Sequence, residues 1–187
     1  MDTTKLTDHI ISTVYEGLIK LGTTGNENYS IYYDLDLVNH LLDASYENNQ
    51  GCYEDLLAAY EHPIQISGQE SPLTIRISLE KGRFRFTVMA SSIPSILSRG
   101  ESNSFLKEII ELVKSHHFTI EDVKQLFSRY SNDYTCETTN HPEFQYVLYF
   151  NQKEINQYKY CFTFDGCCGG YYHRLLDYDY QKLLLEE

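Results

Sequence analysis

Leu6, Ile10, Val14, Leu18 and Leu21 recur at three- and four-residue steps, and Ile11, Tyr15 and Ile19 widen the stripe. This spacing predicts an amphipathic helix over 6–21, stopped by Gly22. The β-branched and aromatic run Ile31-Tyr32-Tyr33 predicts a short strand. A short helix follows through Leu37, Val38, Leu41 and Leu42, with Asp34 or Asp36 as its cap, and a third over 53–60, closed off before Pro63. The period then changes from helical to alternating. Leu73, Ile75, Ile77 and Leu79 share one face, as do Phe84, Phe86 and Val88, and the pair Lys81-Gly82 between them signals a two-residue hairpin. The Ser-rich stretch 91–100, with Pro94, is expected to be a connector.

Helical spacing returns with Phe105, Leu106, Ile109, Ile110, Leu112 and Val113. A further helix through Val123, Leu126, Phe127 and Tyr130 is announced by Thr119 ahead of Glu121 and Asp122, an acidic first turn of capping-box type. The two helices form an αα pair. Beyond it the pattern is strand-like over 134–138, 144–150 and 158–164 and again through Tyr171-Tyr172-His173, with a short closing helix over 178–185. Helices set before and between antiparallel strands argue for α+β, not alternating βαβ units. The expected architecture is an antiparallel sheet in which the hairpin joins the C-terminal meander, packed with about five helices, in a single domain spanning 1–187.

Composition refines this picture. With 42% hydrophobic residues in 187, the chain can bury a core without covalent staples. Asp and Glu outnumber Lys and Arg by 27 to 15, a net charge of −12, and such a field repels nucleic-acid phosphates and anionic lipid surfaces. Neither nucleic acid nor membrane is an expected partner. No apolar run approaches the roughly 18 residues of a membrane span, and the polar start lacks the basic and apolar regions of a signal peptide. The five cysteines are odd in number and irregularly spaced, which suits reduced thiols in a cytoplasm. Trp is absent beside 17 Tyr and 9 Phe. Tyrosine buries a ring while keeping a hydroxyl that needs a partner or water, so these residues serve half-buried sheets and contact surfaces.

Several phrases stand together: Ile31-Tyr32-Tyr33 with Val38-Asn39-His40-Leu41-Leu42, Phe118-Thr119-Ile120-Glu121-Asp122-Val123, Tyr158-Lys159-Tyr160-Cys161-Phe162, and Tyr172-His173-Arg174. As a set they resemble an uncharacterised domain-of-unknown-function family of anaerobic Firmicutes proteins. The resemblance implies a bacterial cytoplasmic protein. It implies no activity and supplies no catalytic residues.

Few groupings could carry chemistry. Cys161, Cys167, Cys168 and His173 are four soft-metal ligand types close in sequence, but zinc sites present paired C-x2-4-C knuckles, and here two cysteines are adjacent while Cys161 lies within a strand. A thiol nucleophile at Cys167 or Cys168 with His173 as base would need exposure and a lowered pKa. Core packing is the simpler account of Cys161. The glycines around Cys167 and Cys168 lead into a strand and not a helix, so they make no nucleotide fingerprint; neither cofactor nor metal is expected.

Arg76, Arg83 and Arg85 stand out in an acidic chain. With Ile75 and Ile77 turned inward, the three share the outer face of the hairpin, where they either pair with neighbours such as Glu80 or bind an anion. The αα pair followed by strands has the order of a winged helix-turn-helix, but Glu121 and Asp122 occupy the end of the second helix where bases are read, which argues against DNA. The carboxylates of Asp34, Asp36, Asp177 and Asp179 fit capping and solvated surface better than a calcium loop. The functional expectation is a non-catalytic cytoplasmic protein that binds a protein or small molecule through a Tyr-rich sheet surface, with homo-oligomerisation open to it. The alternative is a small thiol- or metal-dependent enzyme built on the C-terminal Cys/His cluster.

Overall fold

The computed structural model describes residues 1–22, 26–65, 72–115, 117–153, 156–165 and 169–185, and of 101 and 102 the backbone alone. The chain divides into two compact units, Met1–Ser104 and Phe105–Glu187. The architecture is α+β, with seven α-helices and two antiparallel sheets among the described residues.

In the N-terminal unit, α1 (Thr4–Leu21) is followed by β1 (Tyr29–Tyr33), α2 (Leu35–Leu42), α3 (Asn49–Ala59), the hairpin β2 (Ile75–Glu80) and β3 (Arg83–Val88), and α4 (Ile93–Ser102). Leu6, Ile10, Val14 and Leu18, the stripe predicted for the first helix, are all buried. Asp34 caps α2 by accepting the Leu37 N–H at 2.9 Å. The hairpin turns at Lys81 (φ 50°) and Gly82 (φ 77°), both left-handed, the type I′ geometry whose twist matches paired strands. The three strands lie in the order β1-β3-β2, with Phe84, Phe86 and Val88 of the central strand fully buried.

Two expectations need correction. The hairpin does not join the C-terminal strands: β1 takes the second edge of β3, with Tyr29 opposite Val88 and Tyr33 opposite Phe84. Alternation identifies a strand and its buried face but not its distant partner. The stretch read as a connector is taken up mostly by α4, with Pro94 in its first turn, where a missing N–H is no loss. Gly100 allows α4 to approach α1, since a Cβ there would lie 2.0 Å from Cδ2 of the buried Tyr15 ring.

The C-terminal unit holds α5 (Ser104–Lys114), α6 (Ile120–Tyr130), the meander β4 (Tyr134–Thr138), β5 (Tyr146–Phe150), β6 (Tyr158–Phe164) and β7 (Gly170–Leu176), and α7 (Asp177–Leu185). The predicted capping box opens α6: the Thr119 hydroxyl accepts the Asp122 N–H, and the Asp122 carboxylate accepts the Thr119 N–H at 2.8 Å. On one face of the sheet, Phe105 and Phe127 pack edge-on at 4.9 Å, and Phe105 meets Phe150 and Tyr160 at 5.0 and 5.4 Å. On the other, Phe144, Val147, Cys161 and Tyr180 form a second buried cluster. Lys159 fixes α7 to this face: its ammonium lies 3.0 Å from Asp177 and over the rings of Tyr149 and Tyr180, at 4.6 and 4.2 Å. Among the described residues, no helix is long and apolar enough to cross a membrane.

Candidate functional site

The inward side chains of the N-terminal sheet are aromatic and aliphatic, so period-two geometry turns the polar residues of all three strands to one outer face. Arg76, Ser78 and Glu80 of β2 stand opposite Thr87, Arg85 and Arg83 of β3, and β1 adds Ser30 and Tyr32 opposite Thr87 and Arg85. Arg85 is held in place: its Nη1 donates to Glu80 at 2.9 Å and its Nε to the Ser30 hydroxyl at 3.1 Å. The Glu80 carboxylate also accepts from Ser78 and from the Tyr32 hydroxyl, each at 3.3 Å. These bonds, that from Arg85 foremost, hold the Glu80 carboxyl below its ordinary range, while Glu80 raises the Arg85 guanidinium.

Arg83 is exposed and donates to the Tyr32 carbonyl at 3.0 Å. The guanidiniums of Arg83 and Arg85 lie 5.8 and 6.0 Å from the centre of the Tyr32 ring, itself 41% exposed. Arg76 is exposed and has no hydrogen-bond or ion-pair partner among the described residues. Three arginines and one carboxylate thus share this outer face, two of the arginines beside an exposed ring, and among the described residues Arg85 is the one of the three paired with a carboxylate.

Beside this face runs a groove of about 520 Å3 between the end of α3 and the outer edge of β2, lined by Leu57, Tyr60, Ile75 and Ile77, with Arg76 and Glu61 also contributing. Leu57 is 42% exposed there. A second hollow of about 480 Å3 is lined by Thr3, Thr4, Thr7, Asp8, Gln65 and Arg99, where Asp8 and Arg99 pair with each other.

Pairing of β6 with β7 puts Cys161 directly opposite His173. Cys161 is completely buried, and burial pushes its thiol up to about 12. His173 is exposed, with its ring edge-on to Tyr171 at 5.6 Å. Cys167 and Cys168 lie outside the described residues. Among the described residues, no three His, Cys, Asp or Glu side chains converge as metal ligands.

The remaining shifted phenols and thiols move away from reactivity at neutral pH. The Tyr46 hydroxyl donates to Asp55 at 2.6 Å and is pushed up to about 12; burial takes Cys52 to about 11 and raises Cys136. Of the C-terminal tyrosines, Tyr158, Tyr160, Tyr172 and Tyr180 are buried, Tyr134, Tyr146 and Tyr149 are half-buried, and Tyr171 is exposed. Period two in the sequence places the arginines on one face, but Tyr32, the groove and the position of β2 at the edge of its sheet were not foreseen. The alternation Ser30-Ile31-Tyr32 carried a signal for the first; the other two depend on where α3 packs.

The chain matches, over residues 3–184, the model of a family described as "Domain of unknown function, E. rectale Gene description (DUF3877)". Neither the curated proteins nor the solved structures contain a match. Covered almost from end to end by that model, the chain belongs to this family of domains of unknown function.

Proposed function

We propose that the protein is a non-catalytic binding protein that receives a carboxylate-bearing partner on the outer face of its N-terminal sheet. The observation that carries this reading is the outer face that Arg76, Arg83 and Arg85 share, with Arg83 and Arg85 beside the exposed Tyr32 ring and Arg76 left unpaired among the described residues of a chain of net charge −12. A guanidinium matches a carboxylate in plane and in donor spacing, and neighbouring tyrosine supplies contact area at small entropic cost. The acidic surround disfavours a long polyanion such as nucleic acid but leaves a short carboxylate segment free to engage locally. The free thiols of Cys52, Cys136 and Cys161 fit a reducing cytoplasm as the place of action.

The test is an NMR titration of the 15N-labelled full chain with acetyl-hexaglutamate amide, following the arginine Nε–Hε signals. Movement of the Arg76 and Arg83 signals that weakens as salt is raised supports the reading. Signals that stay fixed at millimolar peptide, or movement of the Arg85 signal that is undiminished in the Arg76→Gln/Arg83→Gln variant, would overturn it. The thiol- or metal-dependent alternative now rests on Cys167, Cys168 and His173. Stoichiometric metal in the purified protein, lost on Cys167→Ser, would favour it.

A further inference from the structure

We propose that the partner is an extended segment of alternating acidic and apolar residues, which adds as a fourth strand along the free edge of β2. This rests on the binding role assigned to the arginine face and specifies its partner. The Lys81-Gly82 turn makes Glu80 and Arg83 a hydrogen-bonded pair, and the Met89 N–H donates to the Thr74 carbonyl at 3.1 Å. Alternation along an antiparallel ladder therefore directs the N–H and C=O groups of Arg76, Ser78 and Glu80 to β3, with the Thr74 N–H donating to the Ser92 hydroxyl at 2.8 Å, and those of Ile75, Ile77 and Leu79 to the outer edge. There they meet no strand among the described residues. The edge is already in use one step earlier: Ile64 and Leu73 exchange both backbone bonds at 2.8 Å, in an isolated antiparallel bridge. The chain's own His62 and Pro63 run from the end of α3 into that bridge, and an incoming strand would add beyond them, along Ile75–Leu79, about 16 Å.

The walls of the edge differ in a way that dictates the sequence of the guest. On the inner side, Leu57 and Tyr60 offer an apolar groove, which Glu61 also lines. On the outer side stands Arg76. Its own backbone bonds point to β3, so a guest residue opposite it would form the close, non-hydrogen-bonded type of pair, with Cα atoms about 4.5 Å apart. A carboxylate at that position lies within reach of Arg76. Successive guest residues alternate between the two sides, so the geometry selects acidic and apolar positions in turn. Arg76 also discourages indiscriminate pairing of an exposed strand edge, a role the same test separates from binding.

The probe is acetyl-Val-Glu-Val-Glu-Val-Glu-Val-amide, added to the 15N-labelled full chain while amide exchange is followed residue by residue. Saturation should slow exchange at Ile77 and Leu79 by at least about tenfold, and Arg76→Glu should weaken binding by about tenfold or more. The same peptide N-methylated on the bonds facing the edge should not protect these amides, and the Lys-for-Glu peptide should bind far more weakly. If hexaglutamate moves the arginine signals while the Val-Glu peptide leaves the edge amides unprotected, the arginine face binds carboxylates but the added strand is refuted. If neither peptide has an effect, both readings fall, and Arg76 is an edge guard. Edge amides already protected in a chain that sediments as a dimer would assign the edge to a second copy and overturn the proposal.

Discussion

Replacing Cys161 by Ala and by Ser separates a packed sulfur from a chemical one. The side chain is completely buried on β6, against Phe144, Val147 and Tyr180. Removing the sulfur as Cys161→Ala loses about one methylene equivalent of transfer free energy, about 0.8 kcal/mol, and leaves a cavity of roughly 25 Å3 worth about 0.6 kcal/mol, together about 1.5 kcal/mol. Cys161→Ser keeps the shape but buries a hydroxyl in an apolar cluster, adding about 1–3 kcal/mol for a group with no partner. Ser should therefore destabilise more than Ala, a sizeable share of the roughly 5–15 kcal/mol that holds a domain together. Urea unfolding followed by far-UV circular dichroism measures both. A Ser variant as stable as the Ala variant would refute the argument, since it would mean that the sulfur position is served by polar partners, as in a site.

The pH dependence has a definite sign: the Cys161 thiol is raised from 9.0 to about 12 in the fold, so its contribution is complete below pH 9 and lost as pH rises through the folded value. Wild type should lose stability relative to Cys161→Ala between these limits, and a constant difference would count against the buried thiol. Asp177 acts at the other end. The Lys159 hydrogen bond, chiefly, lowers its carboxyl below the ordinary 3.8, so its contribution is present above that value and lost as pH falls through the lower folded one. Stability curves of wild type and Asp177→Asn should converge in acid, and curves that stay parallel would show that the Lys159 contact is idle. Gly100→Ala sets two effects against each other: helix propensity favours Ala by about 1 kcal/mol, but the new Cβ would sit 2.0 Å from the buried Tyr15 ring, and overpacking costs about 1–3 kcal/mol or more. A lower melting temperature is expected, relieved in part by Tyr15→Leu; a rise would show that α1 and α4 separate freely.

Local chemistry was the most legible part of the sequence. The stripe from Leu6 to Leu18, the Lys81-Gly82 turn, the Thr119–Asp122 box and the C-terminal meander all follow from interactions within a few residues, and all stand in the structure. What failed was long-range. The partner of β3 is β1, more than fifty positions earlier in the Ser30–Thr87 contact, and nothing in the alternation of either strand announces it. The Pro94 segment shows a milder failure: proline and serine signal a break in mid-helix but an entry in a first turn, and composition alone does not separate the two. The same division runs through the site. Period two placed Arg76, Arg83 and Arg85 on one face, whereas the groove beside them exists because α3 packs near β2.

The central claim is that this arginine face, and not the charge of the whole chain, binds the partner. Isothermal titration of the Val-Glu peptide into wild type, into Arg76→Gln/Arg83→Gln, and into the control Lys107→Gln/Lys153→Gln tests it directly, because both variants lose the same net charge. The prediction is an affinity reduced by about tenfold or more in the arginine variant alone, a loss of about 1.4 kcal/mol. Equal affinity in all three proteins, or an equal loss in both variants, would contradict it.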